Sequence, residues 1–297
     1  MKILITGGTG FIGKKLCHFL LDKNHQLTVL SRTPEKVSTL CGKSVQPVNK
    51  IVQLTSSDSF DAIINLAGEG IADARWSKNR KQQLLDSRIN ITKQLISYIE
   101  KADVKPKVLI SASAIGYYGN RGSTLLTEES LPHKEFSHHL CALWESAAFD
   151  AQKQGVRTCI IRTGLVIGDN GGFLKRMLLP FKLGLGGPMG NGNQWMSWIH
   201  RADLIAIIDK LLESDTLQGV FNASSPKPVT NNEFTKTLAQ VLNRPAFIPI
   251  PAFVLKILLG EMSALLIGGQ RVIPERLEKA GFEFTFKSLN HALSNVV

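Results

Sequence analysis

A doubly wound α/β fold, in which helices cover both faces of a parallel sheet, is what the sequence predicts, together with a smaller second lobe. Three observations carry this. Short, almost wholly apolar runs alternate with longer segments of helical period. A glycine-rich turn joins the first run to the first helix, and after Gly168 glycines and a proline break the alternation.

In chain order, the expected strands are "KILIT" at 2–6, "QLTVLS" at 26–31, "DAIINLAG" at 61–68, "KVLISAS" at 107–113 and "RTCIIRTG" at 157–164. Helices are expected from Phe11, around 76–101 and from Ser137. The segment after Gly168, through "GNGNQWMSWIH", reads as an excursion from the sheet. "RADLIAIIDKLL" at 201–212 then resumes helical period, and "GVFNAS" at 219–224 is one more strand. In the remainder, Thr230 stands where it can cap a helix, with Glu233 at the capping-box position. An apolar helix pair follows, ending near "PERLEKAGFEF". The expected division is 1–168 plus 201–224 as a dinucleotide-binding core, and 169–200 plus 225–297 as a lobe.

The 297 residues can bury a large core without staples. The cysteines Cys17, Cys41, Cys141 and Cys159 form no C-x-x-C pair, which points to a reducing compartment. "MKILITGG" is too short for a signal peptide and no apolar run reaches membrane-spanning length, so a cytoplasmic location with no integral membrane segment is expected. The formal charge of +11 is scattered along the chain. It argues for a basic surface with a pocket for a small anionic ligand, and against nucleic acid as partner.

"LITGGTGFIGKKL" sets Gly7, Gly10 and Gly13 in the spacing G-x-x-G-x-x-G, with Thr9, Phe11 and Ile12 completing the turn. Glycines are needed there for a tight turn, for approach of a pyrophosphate to the backbone, and for close helix-to-strand packing. The free N–H groups and dipole of the following helix bind phosphate. At the end of the second strand stand Ser31 and Arg32, with no carboxylate to accept a ribose hydroxyl. A guanidinium pairs with a 2′-phosphate, so NADP(H) is the expected cofactor.

With the glycine turn, "NLAG" at 65–68, "SASAIGYYG" at 111–119 and "RTGLVIG" at 162–168 in this order, the chain resembles the extended short-chain dehydrogenase/reductase superfamily along essentially its whole length. More narrowly it resembles a branch of epimerase-family proteins that carry "GEGIADARWS", "QWMSWIH" and a C-terminal domain of unknown function. The resemblance implies further cofactor contacts at Leu66, Ala67, Gly68, Arg88, Ser111, Arg162, Thr163 and Gly164. Arg88 departs from relatives, which place an asparagine there. It also implies a homodimer, through pairing of the long helix around 76–101 and the helix from Ser137.

In that superfamily a serine or threonine orients the substrate, while Tyr-x-x-x-Lys on the next helix handles the proton as hydride moves. A glutamate follows the lysine by four. In "FSHHLCALWE" Glu145 supplies that landmark, which puts Cys141 in the lysine slot and Ser137 in the tyrosine slot. The dyad is missing. A metal site would need a third ligand, and a Cys/His nucleophile an orienting group, which this stretch lacks. The favoured reading has Ser137 and Cys141 facing the cofactor as small side chains, with His139 as an alternative acid/base. Ser113 at the orienting position and Tyr117, or Tyr118, are the other candidates for the proton chemistry. Glu69, Arg75 and Trp76 after "DAIINLAG", with Gln194 and Trp195 in the excursion, are expected at a substrate.

Two functions follow. The first is an NADP(H)-dependent oxidoreductase or epimerase acting on a small polar, sugar-like carbonyl or alcohol. The alternative is a catalytically silent NADPH-binding sensor, with the apolar "FVLKILLGEMSALLIGG" as a contact surface.

Overall fold

A computed structural model describes residues 1–297. Seven strands form one parallel sheet: β1 (Lys2–Thr6), β2 (Gln26–Leu30), β3 (Gln46–Val48), β4 (Ala62–Asn65), β5 (Val108–Ala114), β6 (Arg157–Thr163) and β7 (Gly219–Ala223), in the order β7-β6-β5-β4-β1-β2-β3. Order reverses between β1 and β4, which opens a crevice at their carboxyl ends. Expectation and structure differ at β3. Gln46, Pro47 and Val48 make an exposed edge strand, too short and polar to show an apolar run.

Helices α1 (Gly13–Asp22), α2 (Val37–Cys41) and α6 (Arg201–Glu213) cover one face of the sheet; α3 (Lys78–Lys101) and α4 (Phe136–Phe149) cover the other. In α1 the buried positions are Gly13, Leu16, Cys17 and Leu20, the spacing of a single helical stripe. The wholly buried β4 shows why these strands read as unbroken apolar runs. Helix α1 begins two residues later than expected, because Phe11 belongs to the turn. Its ring packs where a Cβ on Gly168, Gly171 or Gly172 would collide with it, and the Arg201 guanidinium, paired with Asp169, lies over it at 4.7 Å. The glycine turn is thereby clasped to the excursion.

Beyond the sheet lie α5 (Gly172–Lys182), α7 (Asn231–Leu242), α8 (Ala252–Leu259), α9 (Ala264–Ile267), α10 (Glu275–Lys279) and α11 (Leu289–Ser294). Trp198, Phe181, Phe234, Leu238 and Leu293 form a separate core between α5, α7 and α11. The capping box forms: Thr230 Oγ1 accepts from the Glu233 N–H at 3.2 Å, and Glu233 Oε2 accepts from the Thr230 N–H at 2.7 Å. The tail also returns to the sheet, since Leu277 and Phe284 join the cluster under α6, and Asp203 accepts from the N–H groups of Thr285 and Phe286. No helix is long and apolar enough to cross a membrane.

His200 ties this lobe to α6. Its Nδ1 accepts from the Ala202 N–H at 3.2 Å, capping the helix, and its ring stacks on Phe286 with centroids 3.7 Å apart. Burial holds its pKa below the ordinary 6.5. The unfolded chain therefore takes up more protons below pH 6.5, so this contribution is full above that pH and is lost as pH falls toward the folded pKa, at about 1.4 kcal/mol per pH unit. His200→Asn keeps a capping acceptor without the titration. Thermal melts from pH 7.5 to 5.5 are expected to fall less steeply for this variant than for the wild type; parallel curves would remove His200 as the cause.

Candidate functional site

The floor of the crevice is a chain of buried polar side chains. Thr6 Oγ1 donates to Asn65 Oδ1 at 2.6 Å, and Asn65 Nδ2 donates to Thr92 Oγ1 at 2.9 Å and Ser111 Oγ at 3.2 Å. All four are fully buried. This network joins the ends of β1 and β4 and the middle of β5 to α3, and it gives Ser111 a supporting role beneath the site. Above it, Gly7 has φ +70°, and a Cβ there would lie 2.6 Å from the Leu66 carbonyl oxygen. A Cβ on Gly13 would meet Gly7 O at 2.2 Å. Gly10 is exposed, and its N–H bonds back to Gly7 O at 3.0 Å. A turn with no room for side chains, an open backbone and a helix start directly behind it fits a pyrophosphate. Thr9, Phe11 and Ile12 complete that turn; Leu66, Ala67 and the exposed Gly68 form the facing edge.

Just beyond β2, Ser31 is buried, and its Oγ accepts from the Thr33 N–H at 3.1 Å. The side chain of Arg32 is 89% exposed and donates through Nη1 to Glu69 Oε1 at 2.6 Å. Glu69, expected at the substrate, thus lies beside the residue expected to read the 2′-phosphate. The reason is that the loop after β4 folds toward β2, held by Arg88, whose Nη2 donates to Glu69 O at 2.8 Å. Arg88 itself packs over the Trp144 ring at 5.2 Å and against Gly68, and its burial lowers its pKa.

The expected proton-handling residues separate. Ser113 is buried, and its hydroxyl donates to Glu145 Oε1 at 2.6 Å. Glu145 is fixed in turn by Arg162, through Nε at 2.9 Å and Nη2 at 2.8 Å. Arg162 Nη1 donates to the Tyr118 hydroxyl at 3.0 Å, which donates to Asn222 Oδ1 at 2.7 Å. Four of the five Arg162 N–H donors are committed, one of them to Glu128 O at 3.3 Å, and its exposure is 3%. Burial opposes its charge, but the Glu145 ion pair more than offsets this and raises its pKa. Burial likewise pushes the Tyr118 phenol up to about 12. Glu128, whose carboxyl pKa burial raises against the N–H groups of Asn222 and Arg276, closes the network.

Tyr117 is half-buried and stands at the edge of this network. Its ring lies flat on the Arg162 guanidinium, 3.3 Å from carbon to centroid, with Tyr118 and His138 edge-on at 5.5 Å and 5.1 Å. His138 Nδ1 is 2.8 Å from Tyr117 O, which pins α4 to this turn. Ser137 and Cys141 are both buried and pack where a Cβ on Gly116 would come 3.2 Å from Ser137 Cβ. Burial, then Glu145, pushes the Cys141 thiol up to about 11. Ser137 Oγ donates to Glu135 Oε1 at 2.5 Å. His139 is exposed on the outer side of α4. Of the three proposed proton carriers only Tyr117 combines a fixed ring with partial access.

The remaining expected contacts are largely engaged in joining lobe and sheet. Gln194 Nε2 donates to Met189 O at 2.9 Å and Leu266 O at 2.8 Å, which makes it a strap rather than a free amide. Trp195 is half-buried under the Arg271 guanidinium at 4.4 Å. Arg75 donates to Ile257 O of α8 at 3.2 Å, and Trp76 packs edge-on to Phe136 at 4.8 Å. Thr163 and Gly164 are half-buried at the end of β6; a Cβ on Gly164 would touch Ser197 O at 2.6 Å. Arg80, which sequence reasoning passed over, reaches the same loop, its Nη1 3.8 Å from Glu69 Oε2 and its Nη2 donating to Gly70 O at 2.8 Å. A cation in the first turn of α3, unfavourable to the helix dipole, was the available signal.

Residues 3–224 match the model of the NAD dependent epimerase/dehydratase family, and 250–296 match a domain of unknown function, DUF1731. The chain is similar to the epimerase family protein YfhF of Bacillus subtilis, 38% identical with 100% of this chain and 98% of the relative covered. It is also similar to human epimerase family protein SDR39U1, whose crystal structure with NADPH superimposes with a TM-score of 0.90 at 36% identity, over 100% of this chain and 99% of that one. UDP-glucuronic acid 4-epimerase from Bacillus cereus, at 20% identity and a TM-score of 0.79 over 99% of this chain and 96% of that one, shares the fold. The glycine turn, the strand-order reversal and these matches along the full length place the chain in the NAD dependent epimerase/dehydratase family, in the branch that ends in a DUF1731 domain.

Proposed function

We propose that the chain is an NADP(H)-dependent oxidoreductase or epimerase acting on a small polar, sugar-like carbonyl or alcohol. The observation that carries this reading is the crevice itself, with open Gly10 and Gly68 backbone on the adjacent strand ends β1 and β4, Arg32 on one side and Tyr117 on the other. When bound, NADPH supplies the hydride. The chain's own residues then have separable tasks. The turn from Gly7 to Gly13 seats the pyrophosphate, Arg32 and Ser31 take the 2′-phosphate, and Tyr117 relays a proton to or from the substrate oxygen. Arg162 positions the Tyr117 ring, while Glu145 and Ser113 position Arg162. Residues 1–168 plus 201–224 act as the cofactor core and 169–200 plus 225–297 as the substrate lobe. Arg75, Trp76 and Trp195 shape the lobe's side of the cleft, and we place the protein in the cytoplasm as a homodimer pairing α3 and α4.

The second reading, a silent NADPH-binding sensor, is favoured by Ser137 and Cys141, both buried, standing in the usual acid/base slots in place of tyrosine and lysine. One experiment separates the two. NADPH fluorescence is followed alone and then with a panel of sugar-like and simple carbonyls. Binding followed by oxidation with one carbonyl class supports the enzyme, and Tyr117→Phe is then expected to lower turnover about 10²-fold or more with NADPH affinity unchanged. Binding with neither net oxidation of NADPH nor epimerisation of any compound in the panel, followed by NMR, supports the sensor. Unaltered turnover in Tyr117→Phe would remove Tyr117 from the chemistry.

A further inference from the structure

We propose that Arg80 forms, with Arg32, a two-guanidinium seat for the cofactor's 2′-phosphate, and that Glu69 is the counter-ion this phosphate displaces. The inference rests on the NADP(H) reading above. Glu69 follows the exposed Gly68, and its backbone is held on both sides: its N–H donates to Ser87 Oγ at 3.1 Å, and its C=O accepts from Arg88 Nη2 at 2.8 Å. Its side chain can therefore swing without moving the loop.

The carboxylate sits between two cations from different elements. Arg32 comes from the end of β2 and touches Oε1 at 2.6 Å; Arg80 comes from the first turn of α3, with Nη1 at 3.8 Å from Oε2. Arg80 has 15% side-chain exposure, and its Nε is buried with no hydrogen-bond partner. Two guanidiniums on one carboxylate leave the site with excess positive charge and an unused donor. A phosphomonoester, with roughly −1.5 to −2 charge and three acceptor oxygens at neutral pH, answers both better than a single carboxylate. Releasing Glu69 costs little, because its partner Arg32 is largely in water, where such pairs are weak. With an unphosphorylated ribose, Glu69 keeps its place and accepts a hydroxyl, as an acidic residue does in NAD sites. The seat therefore distinguishes the two cofactors by exchange of one anion for another.

Dissociation constants for NADPH and NADH, measured by fluorescence titration at two salt concentrations, test this. Arg80→Met is expected to weaken NADPH about tenfold and leave NADH within about twofold, and to reduce the salt dependence of NADPH binding. Arg80→Lys is expected to recover part of the loss. Glu69→Gln is expected to tighten NADPH several-fold, to roughly one-third of the wild-type constant or below, by removing the competing anion. Equal weakening of both dinucleotides in Arg80→Met would mean that Arg80 only holds the loop at Gly70, and the seat would be wrong. Weaker NADPH binding in Glu69→Gln would overturn the counter-ion role. Arg32→Met separates this inference from its foundation. If it leaves the NADPH-to-NADH ratio unchanged, the 2′-phosphate reading of Arg32 fails; if it lowers that ratio while Arg80→Met does not, only the Arg80 seat fails.

Discussion

Replacing Arg162 by methionine is expected to lower the free energy of unfolding by about 3–5 kcal/mol, because it strands the Glu145 carboxylate in the interior. The two side chains are 4% and 6% exposed and joined by two hydrogen bonds. Neither can reach water when its partner is removed. Glu145→Leu is expected to cost a similar amount, since it leaves the guanidinium unpaired and the Ser113 hydroxyl without its acceptor. The pair is worth far less than either loss suggests. Carrying two charges into the interior cancels much of their attraction, so the double change Glu145→Leu with Arg162→Met is expected to be less harmful than the sum of the single changes. Urea unfolding of the four proteins measures this directly. Single variants within about 1 kcal/mol of wild type would show the pair to be water-accessible. The same change removes the platform beneath Tyr117, so turnover is expected to fall in Arg162→Met even where the protein remains folded.

Gly13→Ala is the second large effect expected, on both folding and NADPH binding. The added Cβ would lie 2.2 Å from Gly7 O and 2.6 Å from Gly8 Cα, both backbone atoms that no rotamer change can move. Helix α1 must withdraw from the turn, which costs about 1–3 kcal/mol or more as an overpacked contact. It also carries the helix N-terminus away from the phosphates it would bind. Gly10→Ala provides the internal comparison. Its Cβ would sit 3.1 Å from that same oxygen at an exposed position, so a small shift accommodates it. Fluorescence titration with NADPH and thermal melting are expected to rank Gly13→Ala as the more damaging in stability. A Gly13→Ala protein that melts and binds like wild type would refute the packing account of this turn.

The elements legible in the sequence are those that depend on neighbours a few residues away. Gly7, Gly10 and Gly13 announce their turn because their spacing reflects one local geometry, and Thr230 with Glu233 announces a helix start for the same reason. Buried strands such as β4 show themselves because both faces are covered, which makes their side chains apolar except where one such as Asn65 finds buried hydrogen-bond partners. Edge strand β3 stays hidden because exposure removes that demand. The side chains of the site were harder to read. Ser113 and Gln194 have residue types suited to a ligand, yet their donors go to Glu145 and to the Met189 and Leu266 carbonyls. Which partner a donor finds depends on segments distant in the chain, and no local pattern encodes that.

The sequence by itself determined the doubly wound sheet, the pyrophosphate turn, the arginine at the end of β2 and the replacement of Tyr-x-x-x-Lys by Ser137 and Cys141. The first three follow from residue type and short-range spacing, and the last from the resemblance to the extended short-chain dehydrogenase/reductase superfamily. Only the tertiary structure decided that Ser137, Cys141 and Arg162 are sealed inside, that Tyr117 rests at the edge of the cleft on a guanidinium, and that Glu69 faces Arg32 and Arg80. These outcomes turn on desolvation and pairing. A buried charge or donor must find a partner, and the partners come from β6, α4 and the loop after β4, which meet only once the chain has folded.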